Sequence, residues 1–350
     1  MNEKNRLIIE LLREQKGGMT ASEIARRLGV TRQAVHKRLK KLIELGIVQK
    51  FGRTRNARFV LKDGRTKRVS KFRIVFDPKD VSEDEAFSMI SNALNFQKVL
   101  NKNAHTAAQY AFTEVFNNAL DHSNSRKIEV QVKLDEDRQV AKFRIRDWGV
   151  GIFALIADKF GLPNEFESVL WLLPGKTTTI PELHTGEGLF FASKITKTLK
   201  IKSHRLCLTY LDYGEDAFVE KLRIYTEGTS VEFEVLFNMK KKLDDVFNFY
   251  APADYDYQFE KSRVIIKVLS GRLISRSQAK RIVRPLGGKF REVIIDFKKV
   301  EAIGQGFADE LLRVFPSRFP SIKIILTNVP EHIYPILSHA SSDKTRVQFV

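Results

Sequence analysis

A carboxylate and an amide lie one helical turn apart near the middle of the chain. Glu114 and Asn118 are four residues apart in the stretch 105–122, whose apolar residues recur at helical spacing. Their side chains should therefore lie above each other on one face of a helix. A carboxylate can take a proton from a water or a hydroxyl group, and an amide oxygen can coordinate magnesium, which bridges phosphates. The spacing predicts a general base beside a metal ligand.

Two glycine-containing turns follow this helix pattern. Asp147 ends an apolar strand pattern, and Gly149 and Gly151 allow the backbone to turn tightly and to approach a ligand closely. Farther along the chain, residues 185–188 contain two glycines and precede an apolar helix pattern over residues 189–195. The free N–H groups and the dipole at the start of a helix both favour anions. This loop is therefore predicted to hold a phosphate group.

These segments, with Gly228 and Thr229 before a later strand, resemble the GHKL ATPases, which include gyrase B subunits, heat-shock chaperone ATPases, histidine kinases, mismatch-repair ATPases and anti-sigma kinases. The resemblance covers roughly residues 80–237 and implies a Bergerat-type α/β sandwich that binds ATP and Mg²⁺. It implies a general base at Glu114, a magnesium ligand at Asn118 and a partner for the adenine amino group at Asp147. It further implies a mobile lid over residues 152–185. The remaining ATP-binding residues that we expect are Gly149, Gly151, Lys176, Thr185, Gly186, Glu187, Gly188, Leu189 and Thr229.

The glycine loop departs from the pattern of this family. Glu187 stands between only two glycines, so the loop is shorter than the usual GxGxG form. Residues 175–177, Gly-Lys-Thr, do not make a P-loop, because Leu170 stands where the upstream glycine belongs. Two alternatives stay open, namely a degenerate fold that no longer binds nucleotide and a site that binds ATP with little hydrolysis.

The first 66 residues are predicted to form a basic helix-turn-helix followed by a β-hairpin. Thr20 and Thr31 offer N-caps for two short helices, and Gly29 lies at the turn between them. Leu7 and Ile43 are among the residues that we place on the apolar helix faces. Residues 1–80 hold 22 Lys+Arg and 8 Asp+Glu, so +14 of the net charge of +18 lies in the first quarter of the chain. Such concentrated basicity indicates a polyanionic partner.

This block resembles the winged helix-turn-helix DNA-binding domains of bacterial and archaeal regulators, with residues 52–56 as the wing. The resemblance implies that the N-terminal part of the second helix enters the major groove. The residues expected to reach base edges are Arg32, Gln33 and His36. The residues expected to contact phosphates, which fixes register without reading sequence, are Lys37, Lys40, Lys41, Arg53, Arg55 and Arg58. The alternatives are a protein-binding winged helix and a merely solvated charged face.

The last hundred residues alternate between strand and helix patterns. Strands are predicted at 264–269, 293–297 and 322–326, and helices at 275–286, 306–315 and 330–339, which together imply a sheet covered on at least one face. Asp296-Phe297 at a strand end, followed by Gly304-Gln305 before a helix, resembles the STAS-type anti-sigma-antagonist fold. Gln305 stands about where that family often has a phosphorylatable serine, which argues against phosphorylation there. A plain α/β packing module for dimerisation is an equal alternative.

The chain of 350 residues is thus predicted to be a mixed α/β (α+β) multidomain protein. The predicted domains are a winged helix at 1–66, a GHKL-type domain at 67–245 and a STAS-like domain at 246–350. No apolar run reaches about 18 residues, and no signal-peptide pattern is present, so we expect a cytoplasmic protein. The single cysteine, Cys207, lies between two leucines and is expected to be buried.

Together these patterns predict a transcriptional regulator that binds double-stranded DNA and Mg-ATP. A protein partner for the STAS-like domain and a homodimer are also expected. One alternative is a serine/threonine protein kinase of the anti-sigma type, in which Glu114 would activate a protein hydroxyl group. Another is a DNA-acting machine related to gyrase B subunits, although no cleavage tyrosine or transducer domain is evident in the sequence.

Overall fold

The computed structural model contains two compact units. Unit 1 comprises Met1–Gly149 and Gly228–Lys240, and unit 2 comprises Val150–Glu227 and Lys241–Val350. The predicted mixed α/β multidomain class is confirmed. The structure describes residues 3–15, 17–44, 47–52, 57–61, 71–177, 187–253, 259, 261–265, 272–341 and 345–350.

Unit 1 begins with three helices and a small antiparallel sheet of strand order β1-β3-β2. Thr20 and Glu23 form a capping box, in which each side chain accepts a hydrogen bond from the other residue's backbone N–H. Gly29, with φ 62°, ends the same helix in the left-handed conformation. The elements are α1 (Glu3–Glu14), β1 (Met19–Thr20), α2 (Ala21–Leu28), α3 (Arg32–Glu44), β2 (Val48–Phe51) and β3 (Arg58–Leu61).

Two of the predicted core positions in this region are wrong. Leu7 is 42% exposed and Ile43 is 36% exposed. In α1 the buried positions include Ile8 and Leu12, four residues apart, and Leu7 lies about 100° around the helix from Ile8. Ile9, on the other side of Ile8, is also buried, so the apolar stripe runs over Ile8, Ile9 and Leu12 and leaves Leu7 outside it. The residues that do fill this core include Ile8, Leu12, Ile24, Val35, Leu39 and Leu42.

The rest of unit 1 is an antiparallel sheet with helices packed on one face. Its strand order is β4-β5-β6-β8, of which residues 228–236 of β8 belong to this unit. Alternate residues of β4 are buried, as expected for a strand with one covered face. Aromatic stacking fills the core, with Phe112 on Phe116 and Phe143 on Phe233. The elements are β4 (Lys71–Phe76), α4 (Glu83–Leu94), α5 (Phe96–Val99), α6 (Lys102–His122), β5 (Ile128–Asp135), β6 (Val140–Asp147) and β8 (Asp216–Leu236).

Unit 2 begins at Val150, within the first of the two predicted glycine-containing turns. Among its described residues, three helices precede strand β7, which neighbours β8 in its sheet. Cys207 on β7 is buried, as predicted. The elements are α7 (Ile152–Lys159), α8 (Glu165–Leu172), α9 (Gly188–Ile195) and β7 (Thr198–Leu211).

The remainder of unit 2, residues 261–350, is called the C-terminal domain below. It contains a four-stranded parallel sheet of order β14-β13-β11-β9 and a two-stranded parallel ladder, β10-β12. Two strands match the prediction within one residue, whereas β9 begins three residues earlier than predicted. The elements are α10 (Leu243–Tyr250), which precedes the domain, and then β9 (Lys261–Ile265), β10 (Arg272–Leu273), α11 (Arg276–Val283), β11 (Glu292–Asp296), β12 (Ala302–Ile303), α12 (Gln305–Asp309), a π-helical turn (Glu310–Val314), α13 (Phe315–Arg318), β13 (Lys323–Thr327), α14 (Tyr334–Ala340) and β14 (Val347–Phe349).

Candidate nucleic-acid and nucleotide sites

Helix α3 presents one polar face to solvent. Thr31 caps its first turn, with its Oγ1 accepting a hydrogen bond from the Ala34 N–H at 3.3 Å. Val35 and Leu39 on the opposite side are buried. This amphipathic packing exposes every residue on α3 that we predicted to contact DNA, namely Arg32, Gln33, His36, Lys37, Lys40 and Lys41.

The hairpin that follows α3 provides fewer described candidates. Arg53 and Arg55 lie outside the described residues. Arg58 is half-buried, and its Nη1 donates a hydrogen bond to the carbonyl oxygen of Gly18 at 2.8 Å. Arg58 therefore ties strand β3 to the turn after α1, a role that its sequence position did not reveal. The ring of His36 meets the ring of Phe59 edge-on at 6.1 Å, so α3 also packs against this strand.

Asp147 ends strand β6 as a nearly buried carboxylate, with 4% of its surface exposed. Its Oδ1 accepts hydrogen bonds from the backbone N–H of Gly149 at 2.9 Å and of Thr229 at 3.1 Å. Burial raises the pKa of the Asp147 carboxyl group above its ordinary value, and the backbone donors oppose part of that rise. Residues 147–149 with residues 228–229 are called the Asp147 turn below.

Glycine is required twice in the Asp147 turn. A Cβ atom at Gly149 would lie 1.6 Å from the carbonyl oxygen of Ser123, which follows α6. A Cβ atom at Gly228, where φ is 69°, would lie 2.6 Å from Oδ1 of Asp147. Only hydrogen side chains fit these contacts. The close approach at Ser123 places the Asp147 turn directly against the C-terminal end of α6.

Glu114 and Asn118 are half-buried on α6, one turn apart as predicted. The amide nitrogen of Asn118 donates a hydrogen bond to the carbonyl oxygen of Glu114 at 2.6 Å. Because the NH₂ group makes this bond, Oδ1 of Asn118 is the atom that can coordinate a cation. Within the described ranges, no group of three or more His, Cys, Asp or Glu side chains could hold a metal ion. A magnesium ion here would depend on Asn118 and on oxygens supplied by its ligand.

The other expected nucleotide-binding residues lie in unit 2. Gly151, with φ 82°, precedes α7, and a Cβ atom there would lie 2.6 Å from Oγ of Ser203. Thr185 and Gly186 lie outside the described residues. The final part of the predicted phosphate loop begins helix α9, as expected, with the half-buried residues Glu187, Gly188 and Leu189.

Lys176 is bound within its own unit. Its Nζ donates a hydrogen bond to the carbonyl oxygen of Lys289 at 2.8 Å and lies over the ring of Phe290. Lys289 belongs to the C-terminal domain, and no sequence motif linked these two lysines.

The predicted Asp-Phe pair occurs at the end of strand β11. Asp296 is buried and accepts hydrogen bonds at 2.9 Å from the backbone N–H of Lys298 and from Nδ2 of Asn328. Gln305 is exposed at the start of α12, where we compared it with a phosphorylatable serine. The carboxylate of Asp296 therefore stabilises the turn that follows strand β11.

Two family models match separate parts of the chain. Residues 1–49 match "Winged helix-turn-helix DNA-binding", and residues 279–333 match "STAS-like domain of unknown function (DUF4325)". No curated protein matches the chain. Across the described residues, no helix is both long and apolar enough to cross a membrane. The chain therefore has an N-terminal winged helix-turn-helix DNA-binding domain and a C-terminal STAS-like domain.

Proposed function

We propose that this protein is a DNA-binding transcriptional regulator in which bound Mg-ATP modulates binding to DNA or to a protein partner. The observation that carries the nucleotide part is the buried carboxylate of Asp147. Burying an ionised group costs free energy unless hydrogen bonds compensate for it. The backbone N–H groups of Gly149 and Thr229 bind Oδ1, and because an ionised carboxylate can accept several hydrogen bonds, Asp147 retains the capacity to accept one from an amino group such as that of adenine.

Helix α6 supports a site for the phosphate end of the same ligand. Oδ1 of Asn118 suits magnesium, which prefers oxygen ligands and keeps its remaining positions for water and phosphate oxygens. The metal would neutralise charge on the phosphates when it is bound. Glu114, one turn away, can orient or deprotonate an attacking water. The contact between Gly149 and Ser123 places the Asp147 turn beside the C-terminal end of α6, the helix that carries Glu114 and Asn118.

The path of the chain gives a route from this site to the rest of the protein. Three peptide bonds join unit 1 to unit 2, and two of them, Gly149–Val150 and Glu227–Gly228, lie within or next to the Asp147 turn. A ligand that fixes this turn would thus act on two of the three joins. If the protein exchanges between two conformations that differ in DNA affinity, Mg-ATP can shift DNA binding only by as much as its own affinity differs between them.

Calorimetric titration of Mg-ATP into the wild type and Asp147→Asn tests the nucleotide site. The asparagine oxygen can still accept the bonds from Gly149 and Thr229, but its NH₂ group cannot accept a bond from an amino group. We expect affinity to fall roughly 10-fold to 100-fold, as for a lost hydrogen bond to a charged group. Equal affinity in both proteins, or no binding by the wild type, would remove the nucleotide part of the proposal. The chain would then be a winged-helix DNA binder with two further interaction domains.

A further inference from the structure

The segment 152–177 is attached to the C-terminal domain through a buried hydrogen bond. Oγ of Ser262, on strand β9, donates to the carbonyl oxygen of Pro174 at 2.6 Å. Ser262 has no exposed surface. A buried hydroxyl group that leaves its partner costs free energy, so this contact resists separation of the two parts.

Two lysines form a second, reciprocal contact. Nζ of Lys176 donates to the carbonyl oxygen of Lys289 at 2.8 Å, and Nζ of Lys289 donates to the carbonyl oxygen of Lys176 at 3.3 Å. Lys289 also lies 4.9 Å from the centre of the Trp171 ring, and Lys176 lies 5.4 Å from that of Phe290. Each ammonium group thus contacts an aromatic ring from the opposite side of the junction.

The ammonium group of Lys289 is partly buried and lies near the positive charge of Lys176. Burial and the neighbouring charge of Lys176 both lower the pKa of the Lys289 ammonium group below its ordinary value. Two like charges repel each other, so the carbonyl oxygens and aromatic rings must outweigh that repulsion. This pair is therefore sensitive to small displacements of either side.

Two further contacts complete the junction. Nε of Arg281, on α11, lies 3.4 Å from Oε1 of Glu167, on α8. A Cβ atom at Gly175 would lie 2.6 Å from the ring of Phe259, just before the C-terminal domain, so the backbone packs directly on that ring. These contacts are distributed from α8 to the end of the segment, so the attachment does not depend on one pair of residues.

We propose that Lys289, Ser262 and Arg281 are positioning residues. Through them the C-terminal domain holds the segment 152–177 in the ordered conformation that nucleotide binding requires. This inference rests on the proposed function. The segment begins directly after Gly151, two residues along the chain from the Asp147 turn, so holding the segment restrains the chain that leaves this turn and lowers the entropy cost of fixing it. A partner that binds the C-terminal domain and displaces Lys289 would therefore weaken nucleotide binding without touching Asp147.

Hydrogen–deuterium exchange of the full-length protein without nucleotide tests the attachment itself. Lys289→Met keeps an apolar side chain of similar length and removes the ammonium group. We expect faster exchange at residues 165–177 in this variant. Lys298→Met is the matched control, because Lys298 is an exposed lysine of the same domain, and it should leave exchange in that segment unchanged. Equal exchange in both variants would overturn the inference.

Dissociation of a fluorescent ATP analogue with magnesium tests the functional consequence. Lys289→Met should release the analogue roughly threefold to tenfold faster, the change expected from losing an ordinary hydrogen bond. Lys289→Arg should restore much of the wild-type rate, because a guanidinium group can donate to the same carbonyl oxygen and stack on Trp171. Glu167→Arg and Arg281→Glu should each accelerate release of the analogue. The double variant, in which the two charges are swapped, should return the release rate to that of the wild type.

The outcomes separate this inference from the function on which it rests. If the wild type binds the analogue but Lys289→Met releases it at an unchanged or slower rate, the positioning role is wrong and the nucleotide site stands. If the wild type binds no analogue, the nucleotide site and the positioning role both fail. The exchange measurement would then still decide whether the C-terminal domain holds the segment.

Discussion

Helix α3 and the Asp147 turn gather their functional side chains in opposite ways. The six candidates on α3 lie within ten consecutive residues, and all are exposed. The Asp147 turn combines the end of β6 with Gly228 and Thr229 far along the chain, packs against Ser123 at the end of α6, and has a nearly buried carboxylate. The first region is an exposed surface on which one side chain can be changed without disturbing the packing of the fold. The second is a packed turn in which one added atom disturbs every contact.

The largest expected effect comes from a methyl group in the packed turn. Gly149→Ala should lower the free energy of unfolding by roughly 3 kcal/mol or more, because its Cβ would overlap the carbonyl oxygen of Ser123. Gly29→Ala is the matched change beside α3, where a Cβ meets nothing within 4 Å and only the positive φ is unfavourable. That variant should lose about 1 kcal/mol. Urea unfolding measures the free energy of unfolding of both variants. Equal losses would contradict the proposed difference in packing between the two regions.

Changes at the start of α3 should alter sequence choice and spare the fold. Replacing Arg32, Gln33 and His36 singly by alanine should each cost about 1–3 kcal/mol of discrimination at one base pair. Selection from a random duplex library, followed by competition binding, measures this. Preferred sequences that stay unchanged in all three variants would mean that α3 does not read bases.

The lysines farther along α3 should have a smaller and uniform effect. Lys37→Ala and Lys40→Ala should each weaken binding to all duplexes alike and reduce the salt slope of log K by roughly 0.9. Lys133→Ala removes the same charge from an exposed position on β5 and serves as the control. If the control lowers the slope equally, net charge and not the α3 surface determines affinity.

The smallest effect is a pH-dependent change in stability at the packed turn. Because burial raises the pKa of Asp147 in the folded protein, the stability contributed by its protonated form is present below the ordinary value of 3.8 and is lost as pH rises through the raised pKa. The side chain at position 147 cannot ionise in the Asp147→Asn variant. Its free energy of unfolding relative to the wild type should therefore increase between pH 3.8 and neutrality. Thermal unfolding across this range checks the sign, and a constant difference would contradict it.

The number of basic residues does not distinguish the DNA-binding region around α3 from the C-terminal domain. Residues 261–350 hold 17 Lys+Arg and 7 Asp+Glu, so the C-terminal domain is basic as well. However, Arg276 and Arg281 there bind Asp309 and Glu167, whereas the lysines of α3 are exposed on one face. Exposure on a defined face, more than the number of cations, indicates a polyanion partner.

Local signals explain how much of the fold could be predicted. The caps at Thr20 and Thr31 and the turn at Gly29 are short-range features, so the helices of the winged domain were predicted correctly. The helix that carries Glu114 and the strand that ends at Asp147 were also correct. Strand β14 was missed because three residues are too few to show a period, and β4 was missed although alternate residues along it are buried.

The candidate nucleotide site was predictable only in part. Glycine at position 149 indicated a close backbone approach, but the sequence did not identify Ser123 as the group approached. The contact joins two elements without a shared pattern, and the same is true of Lys176 and Lys289. The roles of Glu114, Asn118 and Asp147 in binding Mg-ATP stay predictions.

The most direct test of nucleotide control is DNA affinity measured with and without Mg-ATP. A labelled duplex selected by the wild type should be titrated by fluorescence anisotropy at one fixed salt concentration, with the wild type and Asp147→Asn. At an Mg-ATP concentration that saturates the wild type but not the more weakly binding variant, we expect Mg-ATP to change the Kd for DNA of the wild type and to leave that of the variant unaltered. An identical Kd with and without Mg-ATP in the wild type would contradict it.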